Sequence, residues 1–105
     1  MSHKELTALI LGSDGEIGSA LAHALKQSGA SVITTSKTLD PNNPNLKRLD
    51  LEHPQRFQLS QKVDVAYLCA GMTKLAECQA QPGLSWEVNV KSQIRLIREL
   101  YAQGT

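Results

Sequence analysis

The stretch LILGSDGEIGSALAHAL, residues 9–25, sets three glycines three residues apart directly behind an apolar run. Residues 6–11 are apolar except for Thr7, the pattern of a strand buried on both faces. Beyond the glycines, Ile17, Leu21, Ala24 and Leu25 recur at helical spacing. The stretch therefore predicts a strand, a tight turn and a helix, with Gly29 where a left-handed residue ends the helix.

Outward from that corner the pattern continues to alternate. Residues 31–35, SVITT, form a short β-branched strand, and residues 40–45, DPNNPN, form a turn cluster. Residues 46–51 give a further short strand, after which His53-Pro54 opens a short helix. The run VDVAYLCAGM, residues 63–72, suits a central strand. From about residue 84 to 103, Trp86, Val90, Ile94, Ile97 and Tyr101 fall on one helical stripe, with Gly104 as its stop. Strands alternating with helices predict an α/β fold. Right-handed crossovers make it a Rossmann-like parallel sheet of strand order 3-2-1-4, with helices on both faces.

Bulk composition narrows the classes. A chain of 105 residues makes one domain, and an apolar fraction of 41% is enough for a single core. Eleven basic against ten acidic side chains give no support for nucleic-acid or membrane-surface binding, and 4% aromatics argue against base stacking. Cys69 lies inside an apolar run and reads as a buried thiol, so Cys69 and Cys78 do not suggest a secreted disulfide scaffold. His3, His23 and His53 are scattered and form no metal-type pairing with them. The apolar run at 6–11 is too short for a secretory leader or a membrane span, so the expected location is the cytoplasm.

Gly12, Gly15 and Gly18 form GxxGxxG, a variant of the dinucleotide fingerprint. The first glycine permits the tight turn, the second lets a pyrophosphate approach the backbone, and the third lets the helix pack on the sheet. Gly12, Ser13, Asp14, Gly15, Glu16, Ile17 and Gly18 are thus candidate cofactor-binding residues, their amides and the helix dipole holding phosphates. The alternative is a purely structural corner. A P-loop is set aside because no Gly-Lys-Ser/Thr follows. An Asp or Glu at the end of the second strand would favour NAD. Thr35, Ser36 and Lys37 stand there instead, and hydroxyls with a lysine suit the 2′-phosphate of NADP, unless they are only a solvated strand end.

With the other strands placed, the chain resembles the extended branch of the short-chain dehydrogenase/reductase superfamily. That branch includes sugar-nucleotide epimerases, dehydratases and dTDP-4-dehydrorhamnose reductase-like proteins. The resemblance rests on GSDGEIGS, on LDLEHP, on YLCAGMT and on WEVNV, in that order along the chain. It implies that Asp50 and Leu51 lie against the adenine. It also implies that Cys69, Ala70 and Gly71 pass beneath the cofactor, and that Asn89 is the asparagine common in the next helix. Asp50 equally suits a helix cap or a turn, Gly71 a strand end, and Asn89 a polar helix position that needs a partner when buried.

The resemblance also implies a Tyr-x-x-x-Lys pair for proton exchange beside hydride transfer. Tyr67 is followed four residues on by Gly71 and Tyr101 by Thr105, so no catalytic residue is assigned. The expected function is the NAD(P)-binding N-terminal domain, residues 1–105, of an oxidoreductase or epimerase acting on a sugar nucleotide or similar carbonyl or alcohol. Alternatives are a complete non-catalytic nucleotide-binding or sensing module, or a ligand-free structural unit. The chain stops after a helix, where the next parallel strand is expected, which favours the first. In order 3-2-1-4 the strand at 63–69 has an open edge, which predicts a two-fold dimer through it.

Overall fold

The computed structural model describes residues 6–13, 15–43, 46–59 and 61–105. Strands β1 (Thr7–Leu11), β2 (Ser31–Ser36), β3 (Leu46–Arg48) and β4 (Val65–Leu68) form one parallel sheet in the order β3-β2-β1-β4. This is the order that alternation and right-handed crossovers predict. β1 has a neighbour on each side, with Leu9 level with Ile33 of β2 and Ala66 of β4. Ala8, Leu9, Ile10 and Leu11 are fully buried, as a near-continuous apolar strand between two helical layers must be.

Successive side chains of β1 feed two cores. Leu9 and Leu11 pack with Ile33, Leu49, Phe57, Val63, Leu96 and Leu100, beneath helix α4 (Ser92–Ala102) and a 3₁₀ turn at Pro54–Arg56. Ile10 packs on the other face with Val32 and Ala22, beneath helix α1 (Glu16–Gln27). On α1 the buried residues are Gly18 and Ala22, with Leu21 and Leu25 half-buried beside them. Small residues let the helix axis lie close to the sheet. Ile17 and Ala24, expected on the packing stripe, are instead exposed, Ile17 by 76%.

Gly29 ends α1 as expected. At φ +93°, its amide reaches Lys26 O at 3.1 Å and that of Ala30 reaches Leu25 O at 3.1 Å, a Schellman ending. Gly104 ends α4 in the same way, with its amide on Tyr101 O and that of Thr105 on Leu100 O, both at 3.0 Å.

Three elements differ from expectation. β3 is shorter than 46–51, because Asp50 turns the chain: its Oδ1 accepts Glu52 N–H at 3.0 Å and its carbonyl accepts His53 N–H at 2.9 Å. β4 is likewise confined to the middle of the run 63–72, although Asp64 and Cys69 add one ladder bond at each end. The C-terminal helical region is the largest difference. It comprises α2 (Leu75–Ala80), which was not expected, α3 (Pro82–Trp86), a π-helical turn at Glu87–Lys91, and α4.

The apolar stripe read from this region turns outward. Trp86, Ile94, Ile97 and Tyr101 are exposed and Val90 is half-buried. The buried line is Val88, Ser92, Leu96 and Leu100. Hydropathy counts Ser92 against that line, yet its hydroxyl is satisfied by the carbonyl of Leu51, so it can be buried. Among the described residues no helix is long and apolar enough to cross a membrane. The turn at 40–45 is visible in Asn42 and Asn43, whose amides bond Asp40, while residues 44–45 lie outside the described residues.

This phase is directly measurable. Leu96 is 1% exposed, so Leu96→Ala lowers the unfolding free energy by about 2–5 kcal/mol in urea titration. Ile97→Ala, at an exposed position, changes it by no more than about 0.5 kcal/mol. Equal losses at the two positions would contradict the orientation of α4.

Candidate functional site

The turn from β1 into α1 is held by contacts between backbones. Gly12 has φ +90°, and a Cβ there would lie 2.6 Å from Ala70 Cα. A Cβ on Gly18 would lie 2.0 Å from the carbonyl oxygen of Gly12. Both glycines are therefore demanded by the fold. Gly12 N–H donates to Thr35 Oγ1 at 2.8 Å, and Ser13 donates from both N and Oγ to Thr35 O at 2.9 Å. Thr35 is fully buried, so the hydroxyl expected to face a cofactor is the anchor of the turn instead.

Gly15 is different. Its φ and ψ of −80° and 167° suit any residue, and nothing among the described residues lies within 4 Å of a Cβ built on it. It caps α1 without a side-chain bond, and Ser19 N–H is already bonded to its carbonyl at 2.9 Å. The amides of Glu16, Ile17 and Gly18 precede that bond and so have no partner within the helix. The side chains of Glu16 and Ile17 are exposed, and Asp14 lies outside the described residues.

A cavity of about 740 Å³ opens over Gly15, within the range of small-molecule sites. It lies beyond the carboxyl ends of the strands, where the chain order reverses between β1 and β4. Ser36, Lys37, Asp50, Leu51 and Glu52 line one end, and Cys69, Ala70, Gly71 and Met72 line the middle. Helix α2, helix α3 and the residue that joins them supply the remaining wall through Glu77, Leu84 and Gln81. Lys37 Nζ lies 3.7 Å from Glu52 Oε2, and Ser36 Oγ accepts Thr38 N–H at 3.3 Å.

Asn89 is not on the cavity surface. Its Oδ1 accepts Met72 N–H at 2.8 Å, and its Nδ2 donates to Met72 O at 3.0 Å and Ser85 Oγ at 3.3 Å. Gln93, one turn on, donates from Nε2 to Ala70 O at 2.8 Å. The π-helical turn and the start of α4 thus fasten the segment 70–72 that passes under Gly12. Gly71 accommodates this, since a Cβ there would lie 2.7 Å from Asn89 Oδ1.

The structure therefore brings Gly12, Gly15, Ser36, Lys37, Asp50, Leu51, Cys69, Ala70 and Gly71 to one cavity. Ser13, Gly18 and Asn89 stand behind it as support. Sequence reasoning missed Gln93, Glu52 and the wall from α2 and α3. Signals for them existed: Gln93 stands four residues after Asn89, Glu52 directly follows Asp50-Leu51, and Pro82 occupies a first helical position.

Residues 8–105 match the model of the NAD dependent epimerase/dehydratase family. An uncharacterized oxidoreductase of Bacillus subtilis (strain 168), YvaG, is 29% identical over 114 aligned residues, spanning 88% of this chain and 43% of that protein. The L-threonine dehydrogenase of Clostridium difficile superposes with a TM-score of 0.68 at 25% identity, over 88% of this chain and 32% of that one. The holo GalE-like L-threonine dehydrogenase of Cupriavidus necator gives 0.66 at 25% identity, over 93% and 34%. A short chain dehydrogenase of Leptospira borgpetersenii with bound NAD+ shares the fold, with a TM-score of 0.64 at 17% identity, over 94% of this chain and 46% of that one. The chain thus spans less than half the length of each of these proteins.

The division among the glycines yields a test. Gly15→Ala keeps the circular dichroism and urea midpoint of the parent, whereas Gly12→Ala and Gly18→Ala lose the cooperative transition or shift it strongly. Thr35→Val leaves the Gly12 amide without its partner and lowers stability by about 1–3 kcal/mol.

Proposed function

The chain belongs to the NAD dependent epimerase/dehydratase family, and from that premise we propose that residues 1–105 are a dinucleotide-binding domain whose glycine turn holds the pyrophosphate. The observation that carries this reading is Gly15. Packing explains the glycine at 12 and at 18 but not at 15, where the space beyond the backbone belongs to the cavity. A ligand that needs close backbone approach supplies the missing reason.

In this reading the amides of Glu16, Ile17 and Gly18, at the positive end of α1 beside Gly15, hold the pyrophosphate, while Gly12 and Ser13, bonded to Thr35, shape the turn that presents them. Asp50 and Leu51 bound the adenine, and Ser36 and Lys37 face the adenosine ribose. Cys69, Ala70 and Gly71 form the floor under the second ribose and the nicotinamide. Asn89 acts by holding the backbone of Met72, and so the floor, in place. Lys37 offers a cation to a 2′-phosphate, which favours NADP over NAD. The bound cofactor supplies hydride exchange at its nicotinamide ring.

The dehydrogenases that share this fold, and the oxidoreductase name of the sequence relative, support redox or epimerase chemistry in the whole protein. The substrate class we assign is a sugar nucleotide or similar carbonyl or alcohol. Without a Tyr-x-x-x-Lys pair the 105 residues bind cofactor and do not turn over substrate by themselves. We place the domain in the cytoplasm, in keeping with Cys69 and Cys78 being free thiols. Among the described residues β4 has β1 as its one sheet neighbour, so its outer edge is available to pair with a second copy.

Calorimetry with NADP, NAD and ADP tests the site. Binding is expected with NADP tightest, and Gly15→Val weakens it at least about tenfold with unchanged circular dichroism. Absence of heat with all three would leave the glycines as a structural corner, and tighter NAD than NADP would remove the role given to Lys37. Sedimentation equilibrium at high concentration is expected to show a dimer. A monomer there removes pairing through β4.

A further inference from the structure

The ribose end of the cavity contains an ion pair whose two members have opposite consequences for a phosphorylated ribose. Lys37, just past the end of β2, places Nζ 3.7 Å from Oε2 of Glu52. Glu52 is delivered by a fixed turn. Its amide donates to Asp50 Oδ1 at 3.0 Å, and the preceding carbonyl, of Leu51, accepts from the buried hydroxyl of Ser92. Both residues line the cavity, and both side chains are partly exposed.

The neighbouring hydroxyls already serve the fold. Thr35 Oγ1 accepts from the Gly12 amide, and Ser36 Oγ accepts from the Thr38 amide. Among the described residues lining the cavity, Lys37 is the cation, and Asp50, Glu52 and Glu77 are the carboxylates, of which Glu52 pairs with it. Discrimination by charge between a ribose 2′-hydroxyl and a 2′-phosphate therefore falls on one ammonium group, and a carboxylate engages it from within the site.

We infer that Glu52 is a specificity-determining residue that acts through Lys37, restraining the preference for a 2′-phosphorylated dinucleotide. This rests on the dinucleotide reading of the same cavity, with Lys37 at its ribose end. A 2′-phosphate has to compete with the carboxylate for the ammonium, whose three N–H donors it shares or takes over. A 2′-hydroxyl makes no such demand, and the pair persists beside it. Because the pair is partly exposed, its strength is modest, and Glu52 tunes the choice of cofactor without vetoing either form.

Equilibrium titration of the full chain with NADPH and NADH separates the possibilities, using Glu52→Gln, Lys37→Met and the double variant, each checked by circular dichroism. In Glu52→Gln the dissociation constant for NADPH is expected to fall roughly five-fold, with that for NADH changed less than about two-fold. In the Lys37→Met background the same replacement of Glu52 is expected to bring no gain. An unchanged NADPH to NADH ratio in Glu52→Gln overturns the inference. An equal gain with and without Lys37 overturns it too, since Glu52 would then act on the ligand directly. Failure of the parent chain to bind either nucleotide is a different result: it removes the dinucleotide site itself, and this inference with it.

Discussion

Gly12 has no room for a side chain, and the layout of the site follows from that. Ala70, Gly18 and Thr35 close on it from the end of β4, the first turn of α1 and the end of β2. Three chain segments therefore meet at one backbone position: a methyl on Gly12 would collide with Ala70, one on Gly18 would collide with the Gly12 carbonyl, and Thr35 reaches the Gly12 amide by a hydrogen bond. The hydrogen bonds made by Thr35 with Gly12 and Ser13 set the turn's height above the sheet. That height leaves Gly15 over open space while its neighbours at 12 and 18 are packed.

Around this point the polar side chains divide by the work they do. Thr35, Ser92, Asn89 and Gln93 bond to backbone atoms of other elements and hold the strand ends in register with the turn. Lys37, Asp50 and Glu52 instead line the cavity and bring their charges to one end. The π-helical turn belongs to the first group. It sets Asn89 beside Met72, and the start of α4 sets Gln93 beside Ala70, so that these two neighbouring turns secure the segment 70–72. The amide of Asn89 is spent on the polypeptide, on both backbone groups of Met72.

Much of the fold was legible in the chain because each piece of it is local. The apolar run at 6–11, the β-branched run at 31–35 and the glycines at 29 and 104 declare strands and helix ends without reference to distant residues. The packing face of α4 was not legible, since the buried line contains Ser92 and the exposed line contains Ile94 and Ile97. A serine is at home in a core only when a distant carbonyl meets it, here that of Leu51. Ile17 was misplaced for a related reason: α1 meets the sheet through Gly18 and Ala22, where close approach matters more than side-chain size.

The sequence by itself determined the parallel sheet, its strand order and the position of a glycine turn at the strand ends. Periodicity, chain chirality and the conformational freedom of glycine act over a few residues at a time. Only the tertiary structure decided which of the three glycines the fold requires, which hydroxyl anchors the turn, and which side of α4 is left to solvent. It also decided that Lys37 meets Glu52 across the end of the cavity. Those outcomes depend on contacts between segments far apart in the chain, and such contacts exist only once the strands have paired and the helices have docked.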